Sequence, residues 1–156
     1  FAQPDDAQAY LYRGILFFNR CDYWLAERDF RHALELDKTS PAAWYDLALT
    51  QQKRGELDAS LTSYDQAIAC RPEYLQAWYN RGLVAMELHR DEVALQSFQE
   101  ILRFSPQSAD AANAMAIVYL RQGKYDDAGS WLEKAGHINS ANPRVQANYQ
   151  QFQSYK

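Results

Sequence analysis

The stretch "AAWYDLALTQQKRG", Ala42 to Gly55, is answered further along by "QAWYNRGLVAMELHR", Gln76 to Arg90. Both contain Ala-Trp-Tyr, and Trp44 and Trp78 stand 34 residues apart. That interval is the period of an array of two-helix units, none of which can bury its apolar face alone. One interval before Trp44 stands Tyr10, and one after Trp78 stands Ala112. The chain then divides into segments 7–40, 41–74, 75–108 and 109–142 without insertion or deletion.

Small residues keep the register. Gly14, Ala48, Gly82 and Ala116 form one column; Ala26, Ser60, Ala94 and Ala128 form a second. Ala33, Ala67, Ile101 and Ala135 form a third, and the bulky Phe30, Tyr64, Phe98 and Leu132 a fourth. Small residues facing large ones let two helices approach and interdigitate. A generic amphipathic bundle would show the helical period without this longer register. Gly55 and Gly123 share the place where a first helix must end in a left-handed residue. Cys21 and His89 replace glycine there, so those two turns are expected to be stiffer or slightly altered. Pro72 and Pro106 block continuation of the second helices. The spacing predicts first helices over 7–20, 41–54, 75–88 and 109–122, and second helices over 24–37, 58–71, 92–105 and 126–138.

Residues 143–156 begin like a fifth first helix, with Pro143 in the register of Pro41. Gln146, Gln150 and Gln153 are polar where a partner helix would pack, while Val145, Tyr149 and Phe152 can cover the fourth segment. This is the pattern of a solvating cap, and the array is expected to end here. The expectation for 1–156 is one all-α domain of four repeats and a capping helix over 143–156.

The pattern resembles the tetratricopeptide repeat family over 7–142. Its motif, Trp-x-x-Leu-Gly-x-x-Tyr then Ala-x-x-x-Phe-x-x-Ala and Pro, is matched in the second segment by Trp44, Leu47, Ala48, Ser60, Tyr64, Ala67 and Pro72. The third gives Trp78, Gly82, Ala94, Phe98 and Pro106, and the first gives Tyr10, Gly14, Phe17, Ala26, Phe30 and Ala33. The fourth departs at Ala112 but keeps "GKYDDA" from Gly123. The resemblance implies a right-handed α-solenoid whose first helices line a concave peptide-binding groove. Its lining would be Leu11, Tyr12, Ile15, Tyr45, Asp46, Leu49, Gln76, Tyr79, Asn80, Leu83, Asn113 and Ile117. Tyrosines offer contact area at low entropy cost, and asparagine can both donate to and accept from a peptide backbone.

The implied function is a scaffold holding a segment of a partner protein, in either extended or helical form. The alternatives are a self-assembling module, through head-to-tail contacts or Trp24, and a chaperone for exported bacterial proteins. One subtype is argued against. Co-chaperones of the family clamp an acidic tail with Lys, Asn and Arg, but the matching places hold Leu11, Ile15, Asp46, Gln76 and Asn80. Asp46 would repel a carboxylate.

Other classes find little support. Net charge is −4, with 8 Lys and Arg against 12 Asp and Glu in residues 1–78. Nucleic acid needs a basic footprint, and none exists. No stretch approaches the roughly 20 apolar residues of a membrane span. His32, His89 and His137 fall in different registers, and no metal-type spacing or glycine-rich phosphate loop occurs. No enzyme activity, metal or cofactor is expected. Asp5–Asp6 and Asp126–Asp127 read as helix-start charges. Cys21 and Cys70 read as small, partly buried thiols of a reducing compartment. A cytoplasmic location is expected; because the chain starts at Phe1, the periplasm after signal removal is the alternative.

Overall fold

The computed structural model describes residues 6–155. Among them every regular element is an α-helix: α1 (Ala7–Asn19), α2 (Tyr23–Leu36), α3 (Pro41–Lys53), α4 (Leu57–Cys70), α5 (Leu75–Glu87), α6 (Asp91–Phe104), α7 (Ala109–Arg121), α8 (Tyr125–Ile138) and α9 (Pro143–Gln153). The first eight begin and end within one residue of the spans the spacing predicts. The capping helix stops at Gln153, short of the expected 156. The chain forms two compact units, one reaching to Val84 and one starting at Ala85, with the boundary inside α5.

First and second helices start by different rules. Asp6 caps α1 by accepting from Gln8 N at 2.9 Å, while Asp5 lies outside the described residues. Ser40 caps α3, Ser108 caps α7 and Asn142 caps α9, each accepting from a first-turn amide. Such a cap satisfies one of the otherwise orphaned donors. Asp22, Glu56, Arg90 and Lys124, which precede the second helices, make no side-chain cap. There the chain reverses through a Schellman turn. Cys21 N donates to Phe18 O and Asp22 N to Phe17 O, both at 2.9 Å. The same pair of bonds recurs at Gly55 and Glu56, at His89 and Arg90, and at Gly123 and Lys124. The pivot residue must be left-handed. It is so in all four turns: φ is 64° at Cys21, 79° at Gly55, 56° at His89 and 71° at Gly123. The turns without glycine are therefore not altered; Cys21 and His89 take the strained conformation.

In the first unit, Leu11, Ala26, Phe30, Ala33, Leu34, Ala43 and Leu47 form a core over which Tyr10, Ile15, Phe17, Phe18 and Trp44 pack. Gly14 faces Phe30 so closely that a Cβ there would sit 2.6 Å from the ring. Trp44 ties α3 to the preceding loop, its indole Nε1 donating to Lys38 O at 2.9 Å. Trp78 repeats this with Pro72 O at 2.8 Å. In the second unit, α9 covers α7 and α8 by burying Val145 and Phe152 beside Ala112, Ala116, Leu132 and Ala135. Tyr149 contributes less, at 39% exposure. Cys21 and Cys70 are both exposed, against the expectation of partial burial. Cys21 sits in the left-handed turn after α1, and Cys70 ends α4 with its thiol 3.8 Å from Lys38 O.

Two stability measurements check this account. Gly14→Ala forces the Phe30 ring aside, and the urea midpoint is expected to fall by the equivalent of about 1–3 kcal/mol. Cys21→Gly removes the left-handed strain at the cost of unfolded-chain freedom, and is expected to stabilise by about 0.5–1 kcal/mol.

Candidate functional site

The first helices of the unit reaching to Val84 present a run of side chains in one register. Tyr12 on α1 is 64% exposed, and Asp46 on α3 and Asn80 on α5 are half-buried at the corresponding places. Ile15, Tyr45, Leu49 and Tyr79 are also half-buried, Gln76 is exposed, and Leu83 is 38% exposed. Leu11 is buried in the core and lies behind this face. In the other unit, on α7, Ile117 is half-buried and Asn113 is buried.

Two of the asparagines are engaged within the chain. Asn80 Nδ2 donates to Tyr45 Oη at 2.9 Å, and Asn148 Nδ2 donates to Asn113 Oδ1 at 2.8 Å. Each joins a first helix to the residue 35 positions earlier. Both bonds hold neighbouring first helices together.

Around Tyr45 the structure gathers aromatic rings that the first-helix pattern does not contain. Tyr64, from α4, has its ring centroid 5.9 Å from that of Tyr45; Tyr74, just before α5, lies 4.9 Å away. Tyr64 is fully buried and its hydroxyl donates to Gln52 Oε1 at 3.0 Å. Burial raises the pKa of Tyr45 and Tyr64, and burial together with the charges of Tyr45 and Asp46 pushes Tyr74 up to about 12. Burial also pushes the Asp46 carboxyl up to about 6. The same exclusion of water disfavours every charged form here.

Trp24 is 75% exposed, with the Arg54 guanidinium carbon 3.4 Å from its ring centroid. Arg54 also pairs with Glu56 at 2.7 Å and with Glu27. An open, mostly apolar cleft of about 440 Å³ lies between α8 and α9, lined by Leu132, Gly136, Val145 and Tyr149 among others. It went unread in the sequence because its wall combines residues of two registers. Among the described residues, no group of three or more His, Cys, Asp or Glu could hold a metal ion, and no helix is long and apolar enough to cross a membrane.

The raised Asp46 carboxyl has a measurable consequence. The folded chain takes up this proton near pH 6, whereas an unfolded aspartate waits until near 3.8. Its contribution to stability is therefore full below the lower value and lost as pH rises through the upper one. Asp46→Asn is expected to melt above wild type at about pH 8, with the gain vanishing toward about pH 4, in thermal melts across that range.

Two family models, both described as tetratricopeptide repeat, match residues 45–109 and 85–151. The human protein O-mannosyl-transferase TMTC3 is 25% identical over 137 residues, which is 85% of this chain but 15% of that protein's length. The crystal structure of MamA superposes with a TM-score of 0.84 at 22% identity, covering 88% of this chain and 81% of MamA. YrrB, a TPR protein with an unusual peptide-binding site, gives 0.80 at 18% identity over 97% of this chain and 78% of its own. At these identities the structural likeness is one of fold, the all-α helical-repeat solenoid class. Proteins of this kind serve as protein-interaction scaffolds. With matches running together from residue 45 to residue 151, on the helical hairpins and left-handed turns described above, the chain belongs to the tetratricopeptide repeat family.

Proposed function

We propose that this protein captures a segment of a partner protein on the first-helix face of its N-terminal unit, around Tyr12, Tyr45, Asp46, Tyr79 and Leu83. The observation that carries the reading is the exposure of large apolar side chains on the first helices of this unit: Tyr12 and Leu16 on α1 at 64% each, and Leu83 on α5 at 38%. Single exposed apolar residues need no explanation, but several on the first helices of one unit offer a contact surface. The peptide-binding site of YrrB, on the same fold, is consistent with such a use. An extended peptide or an amphipathic helix would set its own apolar side chains against these rings.

Tyr45 is a poor probe because its ring packs on Tyr64 and Tyr74 and its hydroxyl accepts from Asn80. Tyr12 and Leu83 can be removed without opening the core. Peptides selected from a displayed random library on the wild-type protein are expected to lose at least about tenfold in affinity for Tyr12→Ala plus Leu83→Ala, at unchanged helicity and melting temperature. Unchanged affinity would place the binding surface elsewhere.

A further inference from the structure

Resting on that reading, we infer that Asp46, set beside Tyr45 and Tyr74, is a subsite for a basic side chain, lysine or arginine, of the captured segment.

Asp46 does not make the helix-joining bond of its column. Asn80 and Asn148 occupy its place in later segments, and each donates to the residue 35 positions earlier. For Asp46 that residue is Leu11, whose buried side chain offers nothing to bond. The acid therefore sits in the column of inter-helix asparagines with no counterpart to hold.

Its surroundings suit a cation. A carboxylate drawn partly out of water is costly unless paired, and an arriving ammonium or guanidinium supplies the missing charge. The neighbouring Tyr74 ring already carries one cation, the Arg71 guanidinium carbon lying 5.2 Å from its centroid while Arg71 pairs with Glu73 at 4.0 Å, so a guanidinium is at home in these surroundings. Long-range charge acts the same way, since residues 1–78 carry 8 cationic against 12 acidic side chains. A basic segment is steered toward this half, an acidic one away.

The library-selected peptides are resynthesised in pairs, with lysine replaced by norleucine or arginine by citrulline. Each pair is titrated against wild type and Asp46→Asn. Removing one basic charge is expected to cost wild type at least about tenfold in affinity and Asp46→Asn less than about twofold, with helicity equal in both proteins. Peptides that depend on Tyr12 and Leu83 but gain nothing from a basic residue would overturn this subsite and leave the capture face standing. A charge effect of equal size in Asp46→Asn would do the same. Peptides indifferent to Tyr12 and Leu83, or no selected peptides at all, would overturn the capture face and the subsite with it.

Discussion

How closely the two helices of a hairpin approach depends on the near absence of a side chain at one point. Gly14 has no Cβ, so the Phe30 ring fills the seam where a methyl group would lie 2.6 Å away. Gly129 and Phe152 repeat the arrangement between α8 and α9, at 2.8 Å. Where the columns hold Ala48 and Ser60, the same proximity lets the Ser60 hydroxyl donate to Ala48 O at 2.9 Å. Interiors are packed too tightly to absorb one added carbon without displacement. Once the spacing is fixed, the turn joining the helices has little freedom. It must place one residue in the left-handed region, and it does so whether that residue is glycine, cysteine or histidine.

That dependence explains what the sequence made legible. Helix spans, turn pivots and core columns each follow a local rule applied four times, so agreement among copies reveals them. A task that survives a change of residue type is harder to see. Trp44 and Trp78 each donate to the carbonyl six residues earlier. Gln146, two intervals beyond Trp78, does so too, its Nε2 donating to Ser140 O at 2.8 Å. Read by polarity, it is a solvent-facing residue of a cap; read by geometry, its amide stands in for the indole N–H. Ala112, the intervening member of the column, has no side-chain donor, which is why the motif breaks there.

Of the candidate face, the sequence made the positions legible. The register places Tyr12, Tyr45, Asp46 and Asn80 on corresponding turns, and the structure keeps them there. It could not show that Asn80 and Asn113 are occupied in joining helices, because one partner, Asn148, lies in the segment read as a cap. Nor could it supply Tyr64 and Tyr74. Pattern reading assigns each residue to a face of its own helix, whereas these rings reach Tyr45 from α4 and from the loop before α5.

Two aspartates of the N-terminal unit show how differently one fold can treat a carboxylate withdrawn from water. Asp29 is the more deeply buried, at 1% exposure. Burial alone would raise its carboxyl, but hydrogen bonds and charge from Arg13 and Arg28 outweigh it and hold the group below the usual carboxylate range. The Arg13 Nη2 bond measures 2.9 Å and those of Arg28 Nε and Nη2 measure 3.3 and 3.2 Å. For Asp46 burial is the cause that acts, and it moves the carboxyl upward. The chain thus completes the environment of the acid that joins α1 to α2, while for the half-buried Asp46 a partner's cation is what we propose completes it. An acid whose burial works against its charged form fits a contact surface better than a purely structural position, which tends toward satisfied partners.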